Sequence, residues 1–335
     1  MTYSSAGLIQ AADFNGFVGP TASGGTAGAN LNDIWGVGAT DKGWGQTAVA
    51  NPSAASTVTA TQWASLVNNL ATAGTQTSTA LTARSAPTTG TLISVLAALN
   101  TDLTSVTTNR GNAAASGTEY GVFSGTTSKT TATGSGQSAW TITFTHTVTF
   151  PSADQARYFW NAGGIVRLKY GKSSNTTDND PEWNALAGYC GTINLTGRVA
   201  GAAQTIAAQS YTGTTRLSGS GGTQTTLATT TGWYNLTGVA TTIFQLNNAT
   251  APYTGEFIRT TATATSSTVL TLITTWSDDG SSGAGKSSNI DGGTATASPS
   301  TTITGTAPTT LCTYLPPSST LTNSWGTPAI AASVA

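Results

Sequence analysis

Charge is what this sequence has least of. Of 335 residues, 12 are Lys or Arg and 13 are Asp or Glu, 7% in all, against roughly 25% in an average soluble chain. A net charge of -1 leaves no electrostatic footprint for nucleic acid and none for an anionic membrane surface. One His and two Cys cannot supply the four ligands of a structural zinc site, and a lone His leaves little for a His-based triad. No hydrophobic run approaches the roughly 18 residues of a membrane span. The first residues, MTYSSAGLIQAADF, lack a basic stretch followed by a continuous apolar one, so no signal peptide is expected. Cys190 and Cys312 lie far apart and are expected to be free and buried or half-buried, although spacing alone does not decide whether they pair.

What is present argues against disorder. Hydrophobic residues make up 38% of the chain, with nine Trp, nine Tyr and eight Phe, enough apolar mass for a sizeable core. About one residue in five is Thr and 39 are Gly. Thr is β-branched and suits a pleated surface. A surface of Thr, Ser and Ala freezes little side-chain entropy on contact. It also lacks the charges that keep sheet edges apart. The composition therefore points to a mainly β chain that lives in an assembly.

Residues 1–58 hold no sustained period. Their aromatics Tyr3, Phe14, Phe17, Trp35 and Trp44 read as anchors of an irregular N-terminal segment onto another protein. Residues 59–111 form a helical segment. Trp63, Leu66, Val67 and Leu70 share one helix face, with Thr61 as a cap and Gly74 as a stop. Leu92, Leu96, Leu99, Leu103 and Val106 step by four and three, a seam of about two heptads closed by Asn109, Arg110 and Gly111. Such a seam fits either a helical hairpin on its own domain or a short bundle between identical subunits.

Residues 112–304 read as a β-sandwich-like domain with one or two short helices. Along 140–150, Trp140, Ile142, Phe144, His146, Val148 and Phe150 alternate with five threonines, a half-buried strand with a uniform polar face. Pro151 ends it. Ser152 and Gln155 make a capping-box pattern for a short helix stopped at Gly163-Gly164, and a strand follows over 165–170. Asp180-Pro181 opens another helix, ending at Gly188 or Gly191. Further strands are expected at 192–196, 225–236, 240–247, 255–264 and 268–276, with loops at 213–224 and 277–304. Residues 305–335 read as an extended C-terminal arm.

No constellation carries catalysis, a cofactor or a metal. Gly280 to Ser287 matches GxxxxGK[ST] letter by letter. Phosphate binding there needs a helix behind the loop and a later acidic residue on a strand, and the turn-rich run after Ser287 offers neither. Asp278, Asp279 and Asp291 miss the alternating calcium-loop spacing. Asp178, Asp180 and Glu182 are accounted for by helix capping rather than by paired catalytic carboxylates. His146 sits on an apolar strand face, as a core residue does. The chain is expected not to be an enzyme.

The run Ser152-Ala-Asp-Gln-Ala-Arg-Tyr-Phe-Trp-Asn-Ala-Gly-Gly164 resembles virion structural proteins of tailed phages, especially marine and cyanobacterial ones. Tyr3 to Phe17, Gly45-Gln-Thr-Ala-Val49 and Thr61-Gln-Trp-Ala64 are similar to their N-terminal halves, so the resemblance spans roughly residues 1–170. It implies a tail-fibre-like tail, baseplate or neck appendage made in the host cytoplasm. Its expected partners are itself, as a homo-oligomer and as a trimer by analogy with fibres, other virion proteins and a host surface glycan. Nucleic acid and membrane are not expected partners. A capsid decoration protein and a secreted carbohydrate-binding module are the alternatives.

Overall fold

The computed structural model describes residues 11–20, 29–53, 56–89, 98–112, 118–124, 141–172, 180–197, 204–206, 209–211, 213–278 and 308–335. Its helices are α1 (Ala11–Val18), α2 (Leu31–Trp35), α3 (Ala60–Gln76), α4 (Leu99–Thr108), α5 (Ala153–Asn161) and α6 (Asp180–Cys190). Its strands are β1 (Tyr120–Ser124), β2 (Thr141–Thr149), β3 (Ile165–Gly171), β4 (Thr192–Leu195), β5 (Gln204–Ile206), β6 (Gln209–Tyr211), β7 (Thr214–Leu217), β8 (Thr223–Leu227), β9 (Thr241–Asn247), β10 (Phe257–Ser266), β11 (Val269–Ser277), β12 (Thr309–Leu315) and β13 (Ala329–Val334). Two antiparallel sheets form a sandwich. One runs β1-β12-β3-β4-β7, the other β13-β2-β11-β10-β9-β8, and β5 and β6 make a separate ribbon. The fold is mainly β with helices added, as the composition predicts.

The period-two run becomes β2, whose Ile142, Phe144, His146 and Val148 are buried while its threonines face outward. It pairs without a register break with β11 on one side and β13 on the other. Side chains from the two sheets meet in the interior. Tyr170 of β3 stacks on Phe244 of β9 at 6.1 Å between centroids, and its hydroxyl bonds Thr260 of β10 at 2.8 Å. At one end α5 turns the chain from one sheet to the other. Ser152 caps it by accepting from the Gln155 amide. Phe150, Phe159, Trp160 and Trp233 form an aromatic cluster there, with Trp160 and Trp233 stacked at 5.7 Å. Such pairs contribute about 0.5–1.5 kcal/mol each beyond area burial.

The N-terminal region departs from expectation. It holds two helices, α1 and α2, and packs on the chain's own core. Asn32 is buried and bridges the Gly19 and Val49 carbonyls while accepting from the Val49 amide. Trp44 donates its indole N–H to the Asn161 carbonyl at 3.0 Å, and Asn161 returns a bond to Gly43. Thr59 rather than Thr61 caps α3, with Gln62 completing the capping box. The helix runs through Gly74 to Gln76. Gly74 serves close packing instead of termination, since a Cβ there would lie 2.6 Å from Leu81.

The segment read as a loop at 213–224 contains β7 and the start of β8. The strand expected through 236 stops at Leu227, and Trp233–Asn235 is a 3-10 turn instead. The C-terminal segment is no arm. Its β12 lies between β1 and β3, and β13 borders β2, so it completes both sheets. One hydrophobic cluster runs from Phe14 to Trp325, and the four-part division of the sequence does not appear in the packing. No helix among the described residues is long and apolar enough to cross a membrane.

Candidate functional site

The residues proposed as an intersubunit seam and as anchors turn inward. Leu99, Leu103 and Val106 are buried in the chain's own core. The helix that carries them starts at Leu99, preceded by Ala98 with φ 60. Leu92 and Leu96 lie outside the described residues. Of the aromatics, Phe14, Phe17, Trp35 and Trp44 are buried, with Phe14 edge-on to Trp63 at 4.9 Å. Tyr3 lies outside the described residues. The seam is therefore intramolecular over its described part, and the four described aromatics hold the N-terminal helices to the sandwich rather than to a partner. Apolar side chains spaced on one helix face look the same in either setting, so the sequence carried no signal to separate them.

The other singled-out groups are structural or lie elsewhere. His146 is fully buried, between Phe144 and Val148 on its strand and opposite Leu272 and Ala332 on the neighbouring strands. Neither ring nitrogen has a well-formed hydrogen bond among the described residues. Burial pushes its pKa down to about 4, with the Thr310 backbone acting weakly in the other direction. Cys190 and Cys312 are free and buried. Burial raises both thiols, Cys312 to about 12, which keeps them protonated and unreactive. The GxxxxGK[ST] match, Asp279, Asp291 and Asp178 lie outside the described residues. No group of three or more potential metal ligands occurs among the described residues.

What sequence reading missed is the rim of the sandwich where β1, the stretch after β12 and β13 come together. Tyr120 is half exposed there, and its ring stacks on Tyr314 with centroids 6.5 Å apart and planes 20° from parallel. Pro316, Pro317, Leu321, Asn323 and Trp325 continue the lining of a groove of about 340 Å³, within the size range of small-ligand clefts. No charged side chain is among its described lining residues. Burial and the neighbouring Tyr120 push the Tyr314 phenol up. Just ahead of β1, Glu119 reaches across the sheet to Arg167 at 2.6 Å and Lys169 at 2.8 Å. Partial burial opposes its charge, but the bonds from Lys169 and Arg167 outweigh that and hold its carboxyl below the usual range. This cluster fixes the start of β1 and with it the position of Tyr120.

Other cavities lie among the described residues. One of about 470 Å³ lies between α3 and residues 78–84, where Arg84 is paired with Asp102, both buried. Another, of about 410 Å³, lies beside Trp35 and Gln46. Gln46 spends its amide on the Thr322 backbone, which ties the N- and C-terminal regions together. Both cavities lie where helices and loops pack on one another and gather no set of catalytic groups.

Comparison with known proteins found no matching family model, no similar curated protein and no similar solved structure.

Proposed function

We propose that this chain is a non-enzymatic structural subunit of a tailed-phage virion, a tail, baseplate or neck appendage that assembles as a homo-oligomer. The observation that carries the reading is a sandwich with threonine-faced outer strands, few charges and one regular, charge-free edge strand at β13. A free monomer ordinarily protects such an edge with Lys, Pro, a bulge or a covering element. The likeness of Ser152–Gly164 to phage virion proteins adds the particle context, and the trimeric order rests on that likeness alone. The buried seam and aromatics give the oligomer no support.

The reading is tested by imaging the particle with this chain located in it. Density for several copies around the tail, neck or baseplate is expected. A lattice of copies over the shell would make the chain a capsid decoration protein instead. Its absence from purified particles would remove the virion reading.

A second reading has its own observation. The uncharged groove with an exposed Tyr ring and the polar Ser319 and Asn323 side chains suits a neutral sugar, whose apolar ring face stacks on an aromatic. A glycan array probed with the wild type and Tyr120→Ala tests it. Binding lost in the variant supports a carbohydrate-binding surface, and no binding by the wild type removes it.

A further inference from the structure

We infer that β13 is a self-pairing edge, through which two copies of this chain join their six-stranded sheets across a two-fold axis at Ala332. The inference rests on the homo-oligomer reading, names its contact, and sets an even number of copies in place of the trimeric order.

Among the described strands, the two sheets have four edges, β1, β7, β8 and β13. Three are blunted. β1 carries a register shift between Tyr120 and Phe123, with Gly121 at φ 59. β8 carries one between Gln224 and Thr226. β7 carries Arg216, whose guanidinium lies along this end of the sandwich, on the Tyr189 and Gly221 carbonyls and the Gln224 side chain. Bulges and charges are the usual defences of sheet edges against pairing. β13 has neither. It pairs with β2 over Ala329–Val334 without a shift, and its sequence is Ala-Ile-Ala-Ala-Ser-Val.

The hydrogen-bond phase of this edge follows from one pair. Ala335 and Thr143 exchange both backbone bonds, at 2.8 and 2.9 Å. Bonded pairs alternate along an antiparallel ladder. Ser333, Ala331 and Ala329 therefore spend their backbone groups on β2, and Ile330, Ala332 and Val334 direct theirs away from it. No hydrogen-bond partner for these outward groups occurs among the described residues.

That edge complements itself. In an antiparallel pairing about Ala332, Ala332 meets Ala332 of the second copy and Ile330 meets its Val334, so all three outward residues form bonded pairs. Ile330 and Val334 are half-buried on the core face and pack against the core, and each would gain an apolar neighbour. On the solvent face, Ala331 meets Ser333. Every side chain in the pairing is small or β-branched, and no like charges are brought together.

The test uses the full chain in sedimentation equilibrium at micromolar concentrations, with Ala332→Pro as the variant. The Ala332 N–H is not used inside the sheet, and Pro is tolerated on an edge strand at such a position. The wild type should run at twice 33.6 kDa, or a multiple of it. The variant should associate on the order of 100-fold more weakly, from two lost hydrogen bonds at the axis and the carbonyls they leave unpaired, at an unchanged melting temperature. Should Ala332→Pro misfold, the double variant Ala331→Cys, Ser333→Cys decides the matter, because oxidation should link those positions between copies.

A self-associating wild type that ignores Ala332→Pro and yields no cross-link overturns the β13 contact and leaves the homo-oligomer standing. Open-ended growth in mass overturns the two-fold in favour of β13 joining another edge. A wild-type monomer overturns the inference and the homo-oligomer together. Amide exchange then tells whether another segment of the chain covers β13 (slow exchange at Ile330, Ala332 and Val334) or the edge stands open to a different protein (fast exchange).

Discussion

Acid should destabilise this protein through its single histidine before most carboxylates titrate. His146 is buried between the sheets with a pKa of about 4, against roughly 6.5 in an unfolded chain. The folded state therefore holds fewer protons than the unfolded state between these values, and stability falls as pH falls. Linkage puts the loss at about 2 kcal/mol between pH 7 and pH 5, and about 3 kcal/mol by pH 4. His146→Phe removes the titration, and Phe suits a site between Phe144 and Val148 on an apolar face. It also removes two buried ring nitrogens without good partners, a relief of roughly 1 kcal/mol at pH 7. Urea unfolding of both proteins from pH 7 to pH 5 is the assay. The wild-type midpoint should drop while the variant's stays nearly level. Because the chain has one His, its proton resonances report the same event without assignment work. Parallel urea midpoints, or a folded-state imidazole titrating near 6.5, would refute the reasoning.

Leu103→Ala should cost about 2–5 kcal/mol, as a core truncation, and leave the sedimentation mass of the folded fraction unchanged. A fall in mass without loss of stability would restore the intersubunit seam. Glu119→Gln should flatten the acid limb below about pH 4.5. A carboxyl held low contributes stability above its unfolded pKa and loses it as pH falls, and urea titration of the variant reads that slope. Asn161→Ala strips a side chain that bonds the Gly43 carbonyl and the Tyr234 hydroxyl. It should lower stability by about 1–3 kcal/mol, seen as a drop in the thermal midpoint. Cys190 and Cys312 should resist a thiol reagent in the native protein and react fully in denaturant, and rapid native labelling would contradict their burial.

Local patterns were legible wherever a segment's own period matched its surroundings. The threonine-faced strand at β2, the Ser152 cap, the stop at Gly163-Gly164 and the strands β10 and β11 could all be read from neighbouring residues. A strand covered on one face writes its alternation into its own sequence. The same local reading misplaced the destination of apolar residues. Leu99, Leu103 and Val106 present one stripe whatever covers it, and only the packing of α4 beside α1 and α3 shows that the cover is intramolecular.

The C-terminal region marks the boundary most clearly. Composition alone determined a weakly charged, β-rich chain with enough aromatic mass for a core. It did not determine that Thr309–Leu315 pairs with residues 165–171 and 120–124, or that Ala329–Val334 pairs with residues 144–149. These ladders close over sequence separations of well over a hundred residues, and their hydrogen bonds are made by backbone groups that every non-proline residue carries. Side-chain sequence thus says little about which strand meets which, and still less about which edge is left open. The bare edge at β13 exists only because the tertiary structure pairs that strand with β2 on one side and gives it no ladder partner on the other among the described strands, although β1 of the second sheet lies close by.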